Sequence, residues 1–402
     1  MHKDWVPARH CPRGVPTSIR ADVVTELATL EELVPGWDAL AVACRRPRSA
    51  PVWTLAWYRH ALPPGAMIRT VIVRDGDSIV GTAPFYVSRT GFGFFRYQLA
   101  APTLHGVEPL CIPGRDLDVG EAMADALVAA DPTPDIVSLD WMTTTSRLPG
   151  TICSGWSRPR PILINEHEFP APRVIVGGHD FESWLAQRSK KFRQSFRYDH
   201  RRLVAAGFEH RMSTEAPDIL ERLPDMQRLY EQRRASRGGA GPAFDDPFMD
   251  VVREAVSRSA SGRVRLSTVE RPGEVIATDL IISGGGESSF WLSGFDEEWA
   301  SLGPNRVNLA LCIGDAMQRH DEVFDLGPGA EAYKYRFTED EVILQGRTLS
   351  RRGLRPFHTP AQLLPFGVRQ GAARVLGRFK RSLQSRSERP GHEDAKSLRV
   401  PL

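Results

Sequence analysis

Two stretches separated by nearly half the chain follow one plan, and this duplication restricts the possible folds more than any other feature. "MIRTVIVRDGDSIVGTAPFYV", beginning at Met67, reads as a strand, a turn at Asp75-Gly76-Asp77 and a returning strand. "RVRLSTVERPGEVIATDLIIS", beginning at Arg263, repeats the device with a turn at Pro272-Gly273, and Ile79–Ala83 aligns with Val275–Asp279. Each hairpin is followed by a helix and a last strand, in "EAMADALVAADPTPDIVSLDW" and in "VNLALCIGDAMQRHDEVFDLG". The recurrence predicts an α+β protein made of two copies of one unit, each a mixed, mostly antiparallel sheet flanked by helices. Chance resemblance between two hairpins is the competing explanation.

The rest of the chain divides around these copies. Residues 1–19 read as a flexible leader, 20–170 as the N-terminal unit, 171–350 as the C-terminal unit and 351–402 as a tail. Between the units, "DFESWLAQRSKKFRQSFRYDHRRLVAAGF" places Phe181, Trp184, Leu185, Phe192, Phe196 and Leu203 near one helical stripe, with a basic opposite face and Gly207 as a C-cap. A second long helix is expected over about 217–234, ended by the loop "SRGGAGPAFDDP". The net charge of +3 is unevenly placed: Arg351–Leu402 holds twelve Lys/Arg against three Asp/Glu, so residues 1–350 are net acidic. The tail's apolar residues among arginines suit an anionic membrane surface, packing on the protein body, or a nucleic-acid partner.

Five scattered cysteines without a C-x-x-C pair argue against a disulfide framework or a zinc knuckle, and no metal is expected. The N-terminal stretch has no apolar core of signal-peptide length, and no apolar run is long enough to span a bilayer. A cytoplasmic location is expected, peripheral to the inner face of a membrane if the tail binds lipid.

"WDAL", "SKKFRQSFRYDHRRL" with Gly207, "GEVIATDLII", "FWLSGFDEEWASLGPN" and "FDLGPGAEAYKYRF" occur in this order. Over about residues 20–345 the chain resembles the tandem GNAT-fold acyltransferases of the CelD-like, cellulose-biosynthesis type, and more distantly the Fem-type peptidoglycan aminoacyltransferases. The resemblance implies two packed GNAT units, with an acyl donor on the second and an acceptor in the cleft between them. Acyl-CoA, such as acetyl-CoA, is the implied co-substrate, whereas Fem-type relatives use aminoacyl-tRNA. One departure stands out. The usual Q/R-x-x-G-x-G/A turn for the donor pyrophosphate is replaced here by "SLGPNRVN".

Ser301–Asn305 are expected at a helix N-terminus, where free N–H groups favour an anion; Gly303 would allow close approach and Arg306 would add charge. Alternatively, Asn305 caps a core helix and Gly303-Pro304 is a plain turn. In "DLGPGAEAYKYRF" a strand ends at an exposed glycine-proline turn, which sets Glu331, Tyr333 and Lys334 at its mouth. Acyl transfer needs a base, an oxyanion donor and an acid for the leaving group. Glu331 suits the base, Tyr333 the acid, and Lys334 the oxyanion or leaving-group role; Lys334 also matches the active-site lysine of the Fem-type aromatic-Lys-x-x-Phe motif. The competing description is an amphipathic segment with packed tyrosines and solvated cations.

Asp279 is a second base candidate, because a carboxylate on an otherwise apolar strand is costly unless paired or used. Strand alternation leaves its face undecided. Of the basic central helix, Lys191 and Arg193 are expected to bind a phosphate-bearing substrate, the remainder being solvated. His105 and Glu108 lie in a loop that would face the cleft. The function expected is acyl transfer to an amine or hydroxyl of a sugar, lipid or cell-envelope precursor, by direct attack, since no G-x-S-x-G setting is present. Aminoacyl-tRNA-dependent transfer and a non-catalytic scaffold of an envelope complex are the alternatives.

Overall fold

The computed structural model describes residues 19–90, 93–157, 159–236 and 245–351. The leader up to residue 18, the glycine-rich stretch 237–244 and the tail from 352 lie outside the described residues. Both hairpins close with two-residue turns, Asp75 pairing with Ser78 and Arg271 with Glu274. Gly76 and Gly273 take the positive φ, +60° and +80°, that such tight turns require.

The first half runs β1 (Ile19–Val24), α1 (Leu27–Glu32), α2 (Val34–Ala43), α3 (Pro51–His60), β2 (Met67–Asp75), β3 (Ser78–Arg89), β4 (Phe95–Leu99), β5 (Leu110–Cys111), α4 (Asp116–Ala129), β6 (Ile136–Thr143) and α5 (Leu148–Gly155). Strand β7 (Ile162–Ile175) closes the first half, and the second runs α6 (Phe181–Gln187), α7 (Lys190–Ala205), β8 (Glu209–Ser213), α8 (Ala216–Ser236), α9 (Asp246–Arg258), β9 (Val264–Arg271), β10 (Glu274–Gly284), β11 (Glu287–Phe295), α10 (Pro304–Gln318), β12 (Val323–Asp325) and β13 (Glu341–Ser350).

These strands form one mixed sheet in the order β1-β2-β3-β4-β6-β13-β7-β12-β11-β10-β9-β8, with β5 attached to β3. All pairs are antiparallel except β4 with β6 and β11 with β12, so the two halves repeat the same meander followed by a parallel pair. At the centre the halves trade strands. Strand β13 pairs with β6 on one side and β7 on the other, while the far end of β7 pairs with β12. The expected division at 170/171 thus falls inside β7, a single strand shared by both ladders.

One apolar core also spans the halves, bringing Trp37, Trp53 and Trp57 together with Met226, Phe248, Leu266 and Leu292. With a common core and exchanged strands, residues 19–351 should unfold in one calorimetric transition. Thr348→Pro, at a position of β13 paired on both sides, should lower stability by roughly 2–4 kcal/mol through lost ladder bonds and strain. Two resolved transitions, one for each half, would contradict this picture.

The central amphipathic stretch differs from its expected single helix. It breaks at Arg188-Ser189 into α6, capped by Asp180 through Ser183 N–H, and α7, capped by Ser189 through Phe192 N–H. The break lets Trp184, Phe192 and Phe196 all pack beneath α10. No described helix is long and apolar enough to cross a membrane.

Candidate active site

Strands β11 and β12 pair over only three positions, Glu287–Ser289 with Val323–Asp325, and then diverge. Trp291 is the extra residue of a bulge in β11, between the pairs Leu280–Leu292 and Ile281–Phe290; it adds a bend at the point of divergence. The resulting wedge holds a cavity of about 250 Å³, lined among others by Asp279, Ser293, Asn305, Arg306, Tyr333 and Arg336. A second cavity of about 250 Å³ is built from both halves, with Arg48 and His105 facing Tyr230, Arg234, Glu331 and Lys334. Arg233, Phe290, Ser293 and Tyr333 line both, so the two cavities are lobes meeting at one wall.

Glu331, Tyr333 and Lys334 all line the second lobe. The glycine-proline turn is not the exposed bend expected. It wraps around Lys334, whose Nζ donates to the carbonyls of Gly327 and Pro328 at 2.9 Å and of Gly329 at 3.4 Å, and pairs with Glu331 at 3.0 Å. Gly327 and Gly329 reach this shape with φ of +75° and +114°, where a side chain would be strained. Lys334 is only 4% exposed, and burial lowers its pKa against the raising effect of Glu331. With four acceptors around three N–H bonds, the ammonium has none left for an oxyanion; it shapes and charges the lobe wall. Glu331 lies on the exposed rim with its carboxylate on Lys334, away from the wedge. The Tyr333 phenol is held neutral, its pKa raised by burial while the Arg233 guanidinium opposes the rise.

Asp279 is 2% exposed. Nine consecutive residues of β10, Val275–Ser283, are buried, so neither face of the strand is a solvent face. Ala277 and Ile281 pack beneath α10, whereas Leu280 and Ile282 belong to the opposite core, and Asp279 shares the α10 face. Burial pushes its carboxyl up to about 7, against the lowering effects of Ser293, Arg233 and Asn308. It is the carboxylate that lines the wedge lobe.

The residues expected to hold a donor pyrophosphate are only partly brought together. Asn305 and Arg306 line the wedge lobe, Ser301 does not, and the Ser301 carbonyl accepts from Arg202 at 2.8 Å. Gly303 has φ +61°, yet a Cβ there would lie 2.6 Å from Asp199 Oδ2, so the glycine admits Asp199 of α7, which pairs with Arg306. Pro304 at the first turn also removes a backbone donor. An anionic carrier therefore fits this mouth through side chains, Arg233, Arg306 and Arg336, and not through a cradle of backbone amides. Among the described residues no His/Cys/Asp/Glu cluster could hold a metal ion.

Lys191 is exposed on α7, outside both lobes. Arg193 folds back onto the carbonyls of Ala186 and Arg188, so it closes the end of α6 and does not reach a substrate. Glu108 is buried against Arg46 and lines a separate cavity of about 70 Å³. His105 lines the second lobe; burial, with Arg48 and Lys334 nearby, lowers its pKa to about 4 and keeps the ring neutral. Its ring centroid lies 4.8 Å from that of Trp141, and both residues have positive φ, +44° and +64°. Both residues follow in sequence the last β4–β6 pair, Gln98–Ser138. Helix α4 of the first half opens with Asp116 and Asp118, and Asp118 pairs with Arg115 at 2.7 Å.

Arg48, Arg233 and Ser293 had no distinguishing sequence signal. Arg48 sits in the short 3₁₀ turn Pro47–Ser49 and reaches across the halves, donating to Phe290 O at 2.8 Å and Leu104 O at 3.3 Å and pairing with Asp325 at 3.2 Å. Arg233, in the last turn of α8, donates to Ser293 O at 3.1 Å.

Residues 190–335 match the acetyltransferase (GNAT) domain family. No curated protein matches the chain in sequence. Among solved structures, FemX superposes with a TM-score of 0.61 at 9% identity, covering 81% of this chain and 98% of that one. The C-terminal domain (DUF2156) of a putative lysylphosphatidylglycerol synthetase from Agrobacterium fabrum gives 0.52 at 11%, covering 81% and 93%. L-PGS from Bacillus licheniformis gives 0.51 at 12%, covering 80% and 93%. At such identities the likeness concerns fold alone, and with the repeated topology and the divergent strand pair it leads to one statement: the chain has a GNAT acyltransferase fold.

Proposed function

We propose that this protein transfers an acyl group from an acyl-CoA to an amine or hydroxyl of an anionic sugar, lipid or envelope precursor, as a CelD-like tandem GNAT enzyme. The observation that carries the proposal is the common wall of the two lobes, where Ser293, Arg233 and Tyr333 converge beside Asp279 of the wedge lobe. A bound acyl thioester supplies the electrophilic carbonyl and a thiolate leaving group. Arg233, Arg306 and Arg336 hold the anionic carrier at the wedge, and the second lobe, with Arg48, Arg233, Arg234 and Lys334 against Glu331, takes an anionic acceptor. As the acceptor attacks, its proton passes by way of the Ser293 hydroxyl to the Asp279 carboxylate. The Arg233 guanidinium faces the developing oxyanion, and the Tyr333 phenol protonates the departing sulfur.

The envelope assignment draws on the names of FemX and the lysylphosphatidylglycerol synthetase, and the basic tail would bring the enzyme to an anionic membrane surface where such precursors lie. Aminoacyl-tRNA is the second donor reading. It is favoured by Pro304 in place of an amide donor and by the exposed Lys190, Lys191, Arg197 and Arg201 on α7, the helix that packs against α10.

Acetyl-CoA or a longer thioester at one hundred times its Kd should stabilise the protein by about 2.7 kcal/mol in thermal unfolding. The Arg306→Ala/Arg336→Ala double variant should lose that response. Stabilisation by charged tRNA alone would transfer the donor role to the second reading, and a response to neither would leave a scaffold.

A further inference from the structure

Behind Asp279, on the side away from the lobes, a line of buried polar groups crosses the sheet to its edge. Asn308 Nδ2 donates to Asp279 Oδ2 at 3.0 Å, Ser267 Oγ donates to Asn308 Oδ1 at 2.6 Å, and His210 Nε2 lies 2.8 Å from Ser267 Oγ. Register places Ser267 directly opposite Asp279 on β9, and β8, which bears His210, is the outermost strand. Ser267 and Asn308 are fully buried, whereas His210 is half-buried and meets solvent. A buried polar file of this length in a packed core is costly unless every member is satisfied.

Its polarity follows from proton counting. Ser267 has a single hydroxyl proton, directed at Asn308, so His210 Nε2 must carry hydrogen and donate to Ser267. Every arrow then points toward the carboxylate, the arrangement that stabilises its ionised form. When Asp279 takes its proton on Oδ2, the oxygen that faces Asn308, the arrangement is the reverse. The carboxyl O–H donates to Asn308 Oδ1, the turned amide donates to Ser267, Ser267 donates to His210 Nε2, and His210 keeps its proton on Nδ1.

We propose that Asn308, Ser267 and His210 are positioning residues for Asp279, forming a hydrogen-bond chain that points at the ionised carboxylate and inverts along its whole length when the carboxylate takes a proton. The other charged or titratable groups facing Asp279 are Arg233 from α8, Tyr333 from the loop after β12 and the Cys312 thiol from α10; His200 of α7 faces His210. The inversion itself does not depend on the acyl-transfer reading, but its use in catalysis rests on Asp279 being the base.

The test is ¹⁵N NMR of the His210 ring in the full-length protein. His210 is kept neutral by burial, with its pKa lowered to about 4, so its own protonation is not what would be seen near neutral pH. The wild-type ring should change from the Nε2–H to the Nδ1–H tautomer as pH falls through the titration of Asp279, and the change should vanish in Asp279→Asn and Ser267→Ala. Ser267→Ala should also move the acid limb of the rate profile up by about half a pH unit. A single wild-type tautomer at all pH values between about 5.5 and 9, or a change that persists in Asp279→Asn, overturns the proposal. If the tautomer inverts but Asp279→Asn keeps full transferase activity, the chain stands and the assignment of the base fails.

Discussion

Asp279→Asn should lower kcat for acyl transfer by roughly 10²- to 10⁴-fold, the usual worth of a positioned general base, while raising stability at alkaline pH. The isosteric amide keeps its neighbours but cannot take a proton. The stability effect follows from linkage. The folded carboxyl titrates at about 7 and the unfolded one near 3.8, so between those values the native state holds a proton that the unfolded state has released. Stability therefore falls as pH rises from about 4 to 7, by up to about 4 kcal/mol, and Asn abolishes the fall. The wild-type rate should rise through about pH 7, because the ionised form is the base. Urea titrations at pH 5 and 8 together with kinetic profiles check both parts; a variant with wild-type kcat, or with the same pH slope of stability, would remove Asp279 from the mechanism.

Lys334→Met should cost about 2–4 kcal/mol and at least 100-fold in kcat/KM, although the ammonium gives no N–H to a substrate. Three carbonyls of the Gly327–Gly329 turn lose their common donor, and buried Gly327 cannot turn to water for a replacement. The turn must open, and Tyr333, one residue before the lysine, moves with it. Lys334→Arg should not restore activity, since a planar fork cannot meet three converging carbonyls as a tetrahedral ammonium does. Chemical denaturation and steady-state kinetics provide the readout. A Met variant with native stability and rate would show that the turn holds its shape without the lysine.

Much of this architecture was legible locally. The hairpins follow from glycines at two-residue turns between apolar runs, and α8 and α10 from 3.6-residue periodicity. Even the break between α6 and α7 carried a readable sign, since Ser189 stands where an N-cap belongs. The exchange of β7 and β13 left no such trace, because pairing between strands some 180 residues apart is decided by the assembled sheet. Lys334 showed its aromatic neighbours but not its burial, which depends on glycine torsions upstream. Arg48 and Arg233 look like any surface arginine until distant elements converge around them. Asp279 was visible as an anomaly, and only the helix lying above β10 settles which face it occupies.

The traded central strands have an evolutionary consequence. A half-length ancestor would lack a partner for its own final strand and would satisfy it most simply by lending it to an identical neighbour and borrowing one back. Fusing the two genes would preserve that embrace within a single chain, with each half completing the ladder of the other.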